Sequence, residues 1–185
     1  MQDYIQIQDN ILEQKHLTCL LKWIDTLNFT PAEIVEKGGS NSIINTKTRD
    51  VNSHFIDRMS DSMSAVTWHN FLEHVFTTHM LNYMKKHPQL VLNNWESFEI
   101  LKYDKNHKFD LHVDSGPKVP RSMSIIFMLN DNYEGGDLVF QWREEKMIVP
   151  KKANQLIFFP SSFCYAHMVQ PIKSGTRYSI VTWAL

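Results

Sequence analysis

His112 and Asp114 are separated by a single residue in Phe109-Asp-Leu-His-Val-Asp114. Written as a strand, this segment turns Asp110, His112 and Asp114 to one face and Phe109, Leu111 and Val113 to the other. At the usual strand rise the α-carbons of His112 and Asp114 lie about 6.6 Å apart, so an imidazole nitrogen and a carboxylate oxygen can meet on one cation. A further histidine, His167, falls on a later predicted strand, Tyr165-Ala-His-Met-Val169. Two histidines and one carboxylate form the facial set that holds iron(II) and leaves positions open for a chelating cosubstrate and dioxygen. By itself the triplet reads more readily as a solvated strand face, since the chain has nine histidines and twenty acidic residues. The assignment therefore depends on what else shares the cavity.

Ten residues beyond His167 comes Gly175-Thr-Arg-Tyr-Ser-Ile-Val-Thr-Trp183. On a strand, Arg177, Ser179, Val181 and Trp183 share a face. An arginine turned into a mostly apolar barrel needs an anion to offset its burial. A dicarboxylate fits that need, because the planar guanidinium meets a carboxylate through two parallel hydrogen bonds. The alternative is an Arg177 at the rim, paired with a surface acid.

These residues need a scaffold. From Asn10 to Leu27 the apolar residues Leu12, Leu17, Leu20, Leu21, Ile24 and Leu27 recur at three- and four-residue steps, which predicts an amphipathic helix. A second helix is predicted from about Ser64 to Lys86, with Leu72, Val75, Phe76, Met80, Tyr83 and Met84 on its buried face and Pro88 closing it. Residues 38–53 between them are polar, led by two glycines and without a period, and read as a long loop that could act as a lid. After Pro88 the pattern changes to short strands: Phe98–Tyr103, Phe109–Asp114, Met123–Leu129, Gly136–Trp142, Glu145–Val149, Gln155–Phe159, Tyr165–Val169 and Arg177–Trp183. Eight short strands in one block, with helices ahead of them, predict a barrel or jelly roll carrying the helices on its outside. The expected organisation is a single domain over 1–185, with helical support and loop in 1–90 and the jelly roll in 91–185.

The block resembles the prolyl 4-hydroxylase-like 2-oxoglutarate- and iron(II)-dependent dioxygenases. The resemblance runs over about residues 98 to 183 and rests on ordered motifs: Tyr103, His112-Val-Asp114, Arg121-Ser-Met-Ser-Ile-Ile-Phe-Met-Leu-Asn130, Gly135-Gly-Asp-Leu138, Pro150-Lys-Lys, Leu156-Ile-Phe-Phe-Pro160, His167-Met-Val-Gln-Pro171 and Gly175-Thr-Arg-Tyr-Ser-Ile-Val-Thr-Trp183. It implies an α+β, mainly β fold whose core is a double-stranded β-helix, cupin-like, of about eight strands. It also implies iron bound by His112, Asp114 and His167, with 2-oxoglutarate held through its distal carboxylate by Arg177 and touched by the Tyr103 hydroxyl. Leu138 and Trp183 would line the pocket, although both suit plain packing. The implied cosubstrates are 2-oxoglutarate and dioxygen, with ascorbate as a candidate reductant. The implied reaction is hydroxylation of an unactivated carbon, with a prolyl residue of a peptide or protein as leading substrate and a free amino acid or other small metabolite as alternative. A jelly roll that has lost its chemistry and only binds is the reading from a different class.

Two departures from the family pattern stand out. Where animal prolyl hydroxylases often carry a second tyrosine against the distal carboxylate, this chain has Met128. After Pro150-Lys-Lys, where glycine is common, it has Ala153-Asn154, and asparagine tolerates the left-handed conformation.

The remaining features narrow the class. Formal net charge is -1, which argues against nucleic acid and anionic membrane as partners. The position six residues beyond Arg177, where nucleic-acid demethylases of this superfamily carry a second arginine, is Trp183. Cys19 and Cys164 are the only cysteines, which fits a reduced setting with neither a disulfide framework nor a thiolate zinc site. The first residues lack the pattern of a targeting signal, so a cytoplasmic, soluble protein is expected. His69, His74 and His79 recur every five residues, a step that turns each about 140° from the last on a helix, so they cannot converge as ligands.

Overall fold

A computed structural model of the chain describes residues 2–35, 42–92, 94–117 and 119–185. After a one-turn 3-10 helix at Gln2–Tyr4, the first half runs β1 (Gln6–Asp9), α1 (Gln14–Ile24), β2 (Thr30–Pro31), β3 (Ile34–Val35), β4 (Ser42–Ile43), β5 (Arg49–Asp50), β6 (Asn52–Ile56) and α2 (Met63–Lys86). The second half runs β7 (Phe98–Tyr103), β8 (Lys108–His112), β9 (Met123–Met128), β10 (Glu134–Gly135), β11 (Leu138–Trp142) and β12 (Glu145–Ile148). It continues with β13 (Gln155–Pro160), a 3-10 turn at Phe163–Tyr165, β14 (His167–Val169), β15 (Ile172–Ser174) and β16 (Arg177–Ala184).

Two antiparallel sheets face each other. The larger has the order β1-β13-β9-β16-β7-β6-β2 and the smaller β12-β11-β14-β8-β5. This is the expected double-stranded β-helix, with the helices against the outer face of the larger sheet. Strand alternation explains why both faces of that sheet are buried. Along β16, Ile180 and Ala184 point to the helices and join Leu20, Ile24, Leu72, Phe76 and Met80 in one apolar cluster. The opposite face of the same strand presents Val181 and Trp183 to a second cluster between the sheets, with Leu101, Tyr103, Ile126, Leu138, Phe140 and Phe159.

α2 covers the whole predicted range and begins one residue before it. Ser62 caps it by accepting from the Ala65 amide at 3.4 Å, and it stops before Pro88, which disfavours helical geometry at His87. α1 begins four residues later than the apolar pattern suggests. Asn154 accounts for the delay: its Oδ1 accepts from the Leu12 amide at 2.8 Å and its Nδ2 donates to the Leu12 carbonyl at 2.7 Å, so that backbone is committed before the helix starts. Asn154 takes the left-handed conformation with φ 60°, as its place in the turn after Pro150 suggested.

The polar segment after α1 differs from its reading as a loop. Residues 38–41 lie outside the described residues, but 42–53 contain β4, β5 and the start of β6, joined by a turn over 46–48, and these strands are paired. β5 joins the small sheet through Arg49↔Phe109, and β6 joins the large one through His54↔Ile100. The first half therefore supplies strands to both sheets and is not only helical support. Predicted strand 136–142 begins at Leu138, because Gly135 and Gly136 both have positive φ. The strand predicted from Tyr165 begins at His167, after the 3-10 turn. No helix is long and apolar enough to cross a membrane among the described residues.

Candidate metal and cosubstrate site

β8 ends at His112, and Asp114 sits in the bend beyond it. The shared strand face expected of 110, 112 and 114 thus holds only as far as His112, with Asp110 instead accepting from Lys108 Nζ at 2.8 Å. The bend nevertheless brings Asp114 back to the histidine. Asp114 Oδ1 lies 3.4 Å from His112 Nε2 and Oδ2 lies 3.7 Å from His167 Nε2. β14 pairs with β8 in the register His167↔His112, which sets the two imidazoles 4.3 Å apart between centroids with their planes tilted by 56°. The three donor atoms lie within 4.8 Å of one another, a group able to hold a metal ion.

Each imidazole is oriented by a backbone carbonyl two residues upstream. His112 Nδ1 lies 2.8 Å from the Asp110 carbonyl and His167 Nδ1 3.1 Å from that of Tyr165. A carbonyl only accepts, so Nδ1 carries the proton and Nε2 keeps its lone pair toward Asp114. These carbonyls are outer partners that no residue type in the sequence advertises. Phe109 stacks on His112 at 3.6 Å between centroids, and Arg49 lies over the outer face of Phe109 at 5.1 Å. Arg49 is in turn gripped by both oxygens of buried Glu99 at 3.0 and 3.1 Å.

Asp114 is fixed as firmly. Ser124 Oγ donates to its Oδ2 at 2.6 Å, and Ser161 Oγ bonds Ser124 at 2.7 Å. Burial opposes ionisation of Asp114, but the facing His167 and His112 and the Ser124 hydroxyl outweigh it and hold the carboxyl well below the usual range. Burial likewise pushes the His167 imidazole down to about 4, against the pull of Asp114. At neutral pH the pair is a carboxylate beside a neutral imidazole, the protonation state in which both can ligate a cation.

The same cavity contains a cationic group. Arg49, Leu101, Tyr103, His112, Asp114, His167, Arg177, Ser179, Val181 and Trp183 all line it, so the face of β16 predicted from alternation turns inward intact. Leu138 does not line the pocket but packs in the core between the sheets. Arg177 is 1% exposed. Its NH1 donates to Ser179 Oγ at 3.0 Å and its NH2 meets the Met128 thioether at 3.1 Å. The Tyr103 ring lies 4.9 Å below the guanidinium, and Nε has no hydrogen-bond partner among the described residues. A buried cation with one hydroxyl, one weak sulfur acceptor and a free N–H is incompletely neutralised, and its position calls for an anion.

Comparison with known proteins bears on this geometry. Residues 98–185 match the model of the 2OG-Fe(II) oxygenase superfamily. This segment belongs to that superfamily. The oxygenase segment is similar to a PKHD-type hydroxylase of Synechococcus sp. strain CC9902, 42% identical over 65 residues, which are 34% of this chain and 28% of the relative. It is also similar to a PKHD-type hydroxylase of Alteromonas mediterranea, 30% identical over 92 residues, or 44% and 40% of the two chains. The matched region spans less than half the length of these curated relatives. The fold extends further. A Trichoplax adhaerens prolyl hydroxylase, solved with a peptide fragment of the hypoxia inducible factor oxygen degradation domain, superposes with a TM-score of 0.80 at 16% identity, covering 98% of this chain and 83% of that one. A Pseudomonas putida prolyl-4-hydroxylase gives a TM-score of 0.73 at 17% identity, covering 98% and 91%. At such identities these likenesses show the fold alone.

Proposed function

We propose that the chain is an iron(II)- and 2-oxoglutarate-dependent hydroxylase whose substrate is a prolyl residue in a peptide or protein. The observation that carries the reading is the pairing, in one pocket, of a two-histidine, one-carboxylate donor set with a buried arginine that has hydrogen-bonding capacity to spare. His112, Asp114 and His167 fit a hard divalent cation with open positions, and imidazole with carboxylate suits iron(II). Arg177 fits a carboxylate held deep in the pocket, and Tyr103 lines the same pocket with its ring against the guanidinium. When bound, iron(II) and 2-oxoglutarate supply dioxygen activation coupled to oxidative decarboxylation, giving succinate, carbon dioxide and one oxygen atom for a C–H bond of the substrate.

The protein's own contribution is positional. The carbonyls of Asp110 and Tyr165 keep the histidine Nε2 atoms deprotonated toward the ion, and Ser124 steers the Asp114 carboxylate. Leu101, Ile126 and Val181 make the space between ligands and arginine apolar, which excludes water from a reactive centre. The prolyl substrate rests on likeness: the Trichoplax neighbour was solved with a peptide, and the Pseudomonas neighbour is a prolyl-4-hydroxylase.

The test is succinate release from 2-oxoglutarate with iron(II) and ascorbate, with proline-containing peptides followed by mass spectrometry for the gain of one oxygen. Turnover should require peptide and vanish in His167→Ala together with iron retention. Normal activity in that variant refutes the ligand assignment. Oxidation of free amino acids alone moves the substrate to a small metabolite, and silence with every substrate leaves a binding module.

A further inference from the structure

Phe109 and His112 are an odd number of residues apart, so in a regular strand they face opposite sides of the sheet. In β8 they do not. Pairing with β14 joins His112 to His167 but Phe109 to Val169, so three steps along β8 lie opposite two along β14. The extra residue is a β-bulge, a device that re-aims a side chain by breaking alternation. Here it turns Phe109 into the cavity beside His112, with the two rings 11° from parallel and 3.6 Å apart between centroids. The strand next to it holds the bulge: the Thr48 carbonyl accepts from the Asp110 amide at 2.8 Å, and Arg49 pairs with Phe109 in the β5 ladder.

The two histidines of the donor set differ in what surrounds them. The His167 side chain is 4% exposed and is enclosed by Phe140 and Phe159, at 5.6 and 4.8 Å between centroids. The His112 side chain is 19% exposed, and its ring rests on Phe109 and the tilted ring of His167. An imidazole turning about its Cβ–Cγ bond sweeps its edges out of plane. A neighbour in van der Waals contact stops that turn only if it cannot itself withdraw. Phe109 is kept from withdrawing by Arg49, whose guanidinium lies over the ring at 5.1 Å. That guanidinium is anchored in turn by both oxygens of buried Glu99, at 3.0 and 3.1 Å, and by the Glu33 carbonyl at 2.6 Å.

We infer that Phe109 and Arg49 are positioning residues for His112. The bulge places the ring, and the anchored guanidinium holds it against the imidazole so that Nε2 stays aimed at Asp114 and the cation. The inference rests on the reading of His112 as a metal ligand given above.

The experiment reads the imidazole without metal, then the metal without turnover. Nuclear magnetic resonance of the metal-free protein follows the His112 ring protons, which a parallel phenyl ring shields. In Phe109→Leu they should move downfield while those of His167 stay in place. Arg49→Met combined with Glu99→Leu removes the anchor without stranding a carboxylate, and should move the His112 protons partway in the same direction. Iron(II) affinity is then measured under nitrogen by competition with a chromogenic chelator. Phe109→Leu should bind about tenfold more weakly, as for other outer partners of metal-binding histidines. The double variant should also bind more weakly, and Phe109→Tyr, which keeps the ring, should match wild type. Wild-type affinity in Phe109→Leu overturns the inference, as does an equal loss in Phe109→Tyr. Unmoved His112 protons with unchanged affinity in the double variant overturn the role given to Arg49. If His112→Ala itself keeps wild-type affinity, the ligand reading fails; if it loses iron while Phe109→Leu does not, only the inference fails.

Discussion

Arg177→Met offers a test in which stability and binding move in opposite directions. The guanidinium is 1% exposed and its acceptors are one hydroxyl and one thioether, with the Tyr103 ring at 4.9 Å. Desolvating such an ion costs several kcal/mol, while a buried cation–π contact returns about 2 kcal/mol and one neutral hydrogen bond about 1 kcal/mol. The balance without cosubstrate is unfavourable. Methionine has a similar reach and no charge, and replacing buried charge by apolar side chains of similar volume is often stabilising by about 1–4 kcal/mol. In a chain of this size each kcal/mol moves the thermal midpoint by about 2–4 °C, so the metal-free variant should melt a few degrees to about ten degrees higher than wild type. With iron(II) under nitrogen and 2-oxoglutarate at a hundred times its dissociation constant, wild type should gain about 2.7 kcal/mol and the variant almost nothing. Scanning calorimetry with and without 2-oxoglutarate reads both effects. A metal-free variant that melts several degrees below wild type would mean that Ser179, Met128 and Tyr103 already satisfy the arginine, and the argument for an anion would collapse.

Three further outcomes follow from contacts around the pocket. Ser124→Ala removes the 2.6 Å hydrogen bond to Asp114 and should weaken iron(II) affinity about 10–100-fold, measured by competition with a chromogenic chelator; undiminished affinity would mean that the serine does not steer the carboxylate. Arg49→Met strands Glu99, 3% exposed, without its ion partner and should cost about 3–5 kcal/mol in urea unfolding, most of it recovered by adding Glu99→Leu; a mild single variant contradicts the buried-pair reading. Burial lowers the His69 pKa below 6.5, with Glu73 opposing and Arg58 assisting. The unfolded chain therefore takes up its proton first as the solution is acidified, and stability should be present above about pH 6.5 and decline below it. Comparing urea midpoints near pH 7.5 and 5.5 should show a smaller decline in His69→Gln than in wild type, and an equal decline removes His69 as a contributor.

Much of the pocket was legible because strand alternation is a strict rule. One residue choice, Arg177, sets the inward face of β16 through Ser179, Val181 and Trp183, and the structure keeps that face. The helices were legible from their apolar stripes, and α2 matches within a residue at its start. What escaped detection depends on backbone and on distant partners. Asp114 left the strand because β8 ends at His112, yet its carboxylate still lies beside the histidine, a placement that strand alternation alone does not describe. The carbonyls behind both imidazoles belong to no residue type. β1, with sequence QIQD, has too little apolar alternation to announce itself and exists because β13 offers it an edge. β5 is two residues long and gains its meaning from Arg49, whose partner Glu99 lies fifty residues away.

The pairing of β5 with β8 and of β6 with β7 means that the segment recognisable by family has its borders stitched by the half that is not. Cut at residue 98, the smaller sheet would lose β5 and the larger would lose β1 at one edge and β6 with β2 at the other, leaving bare amide and carbonyl rows, one of them on the very strand that carries His112. Changes at Arg49 or along β6 would therefore reach β8 and β7, and through them the cavity, by backbone pairing alone.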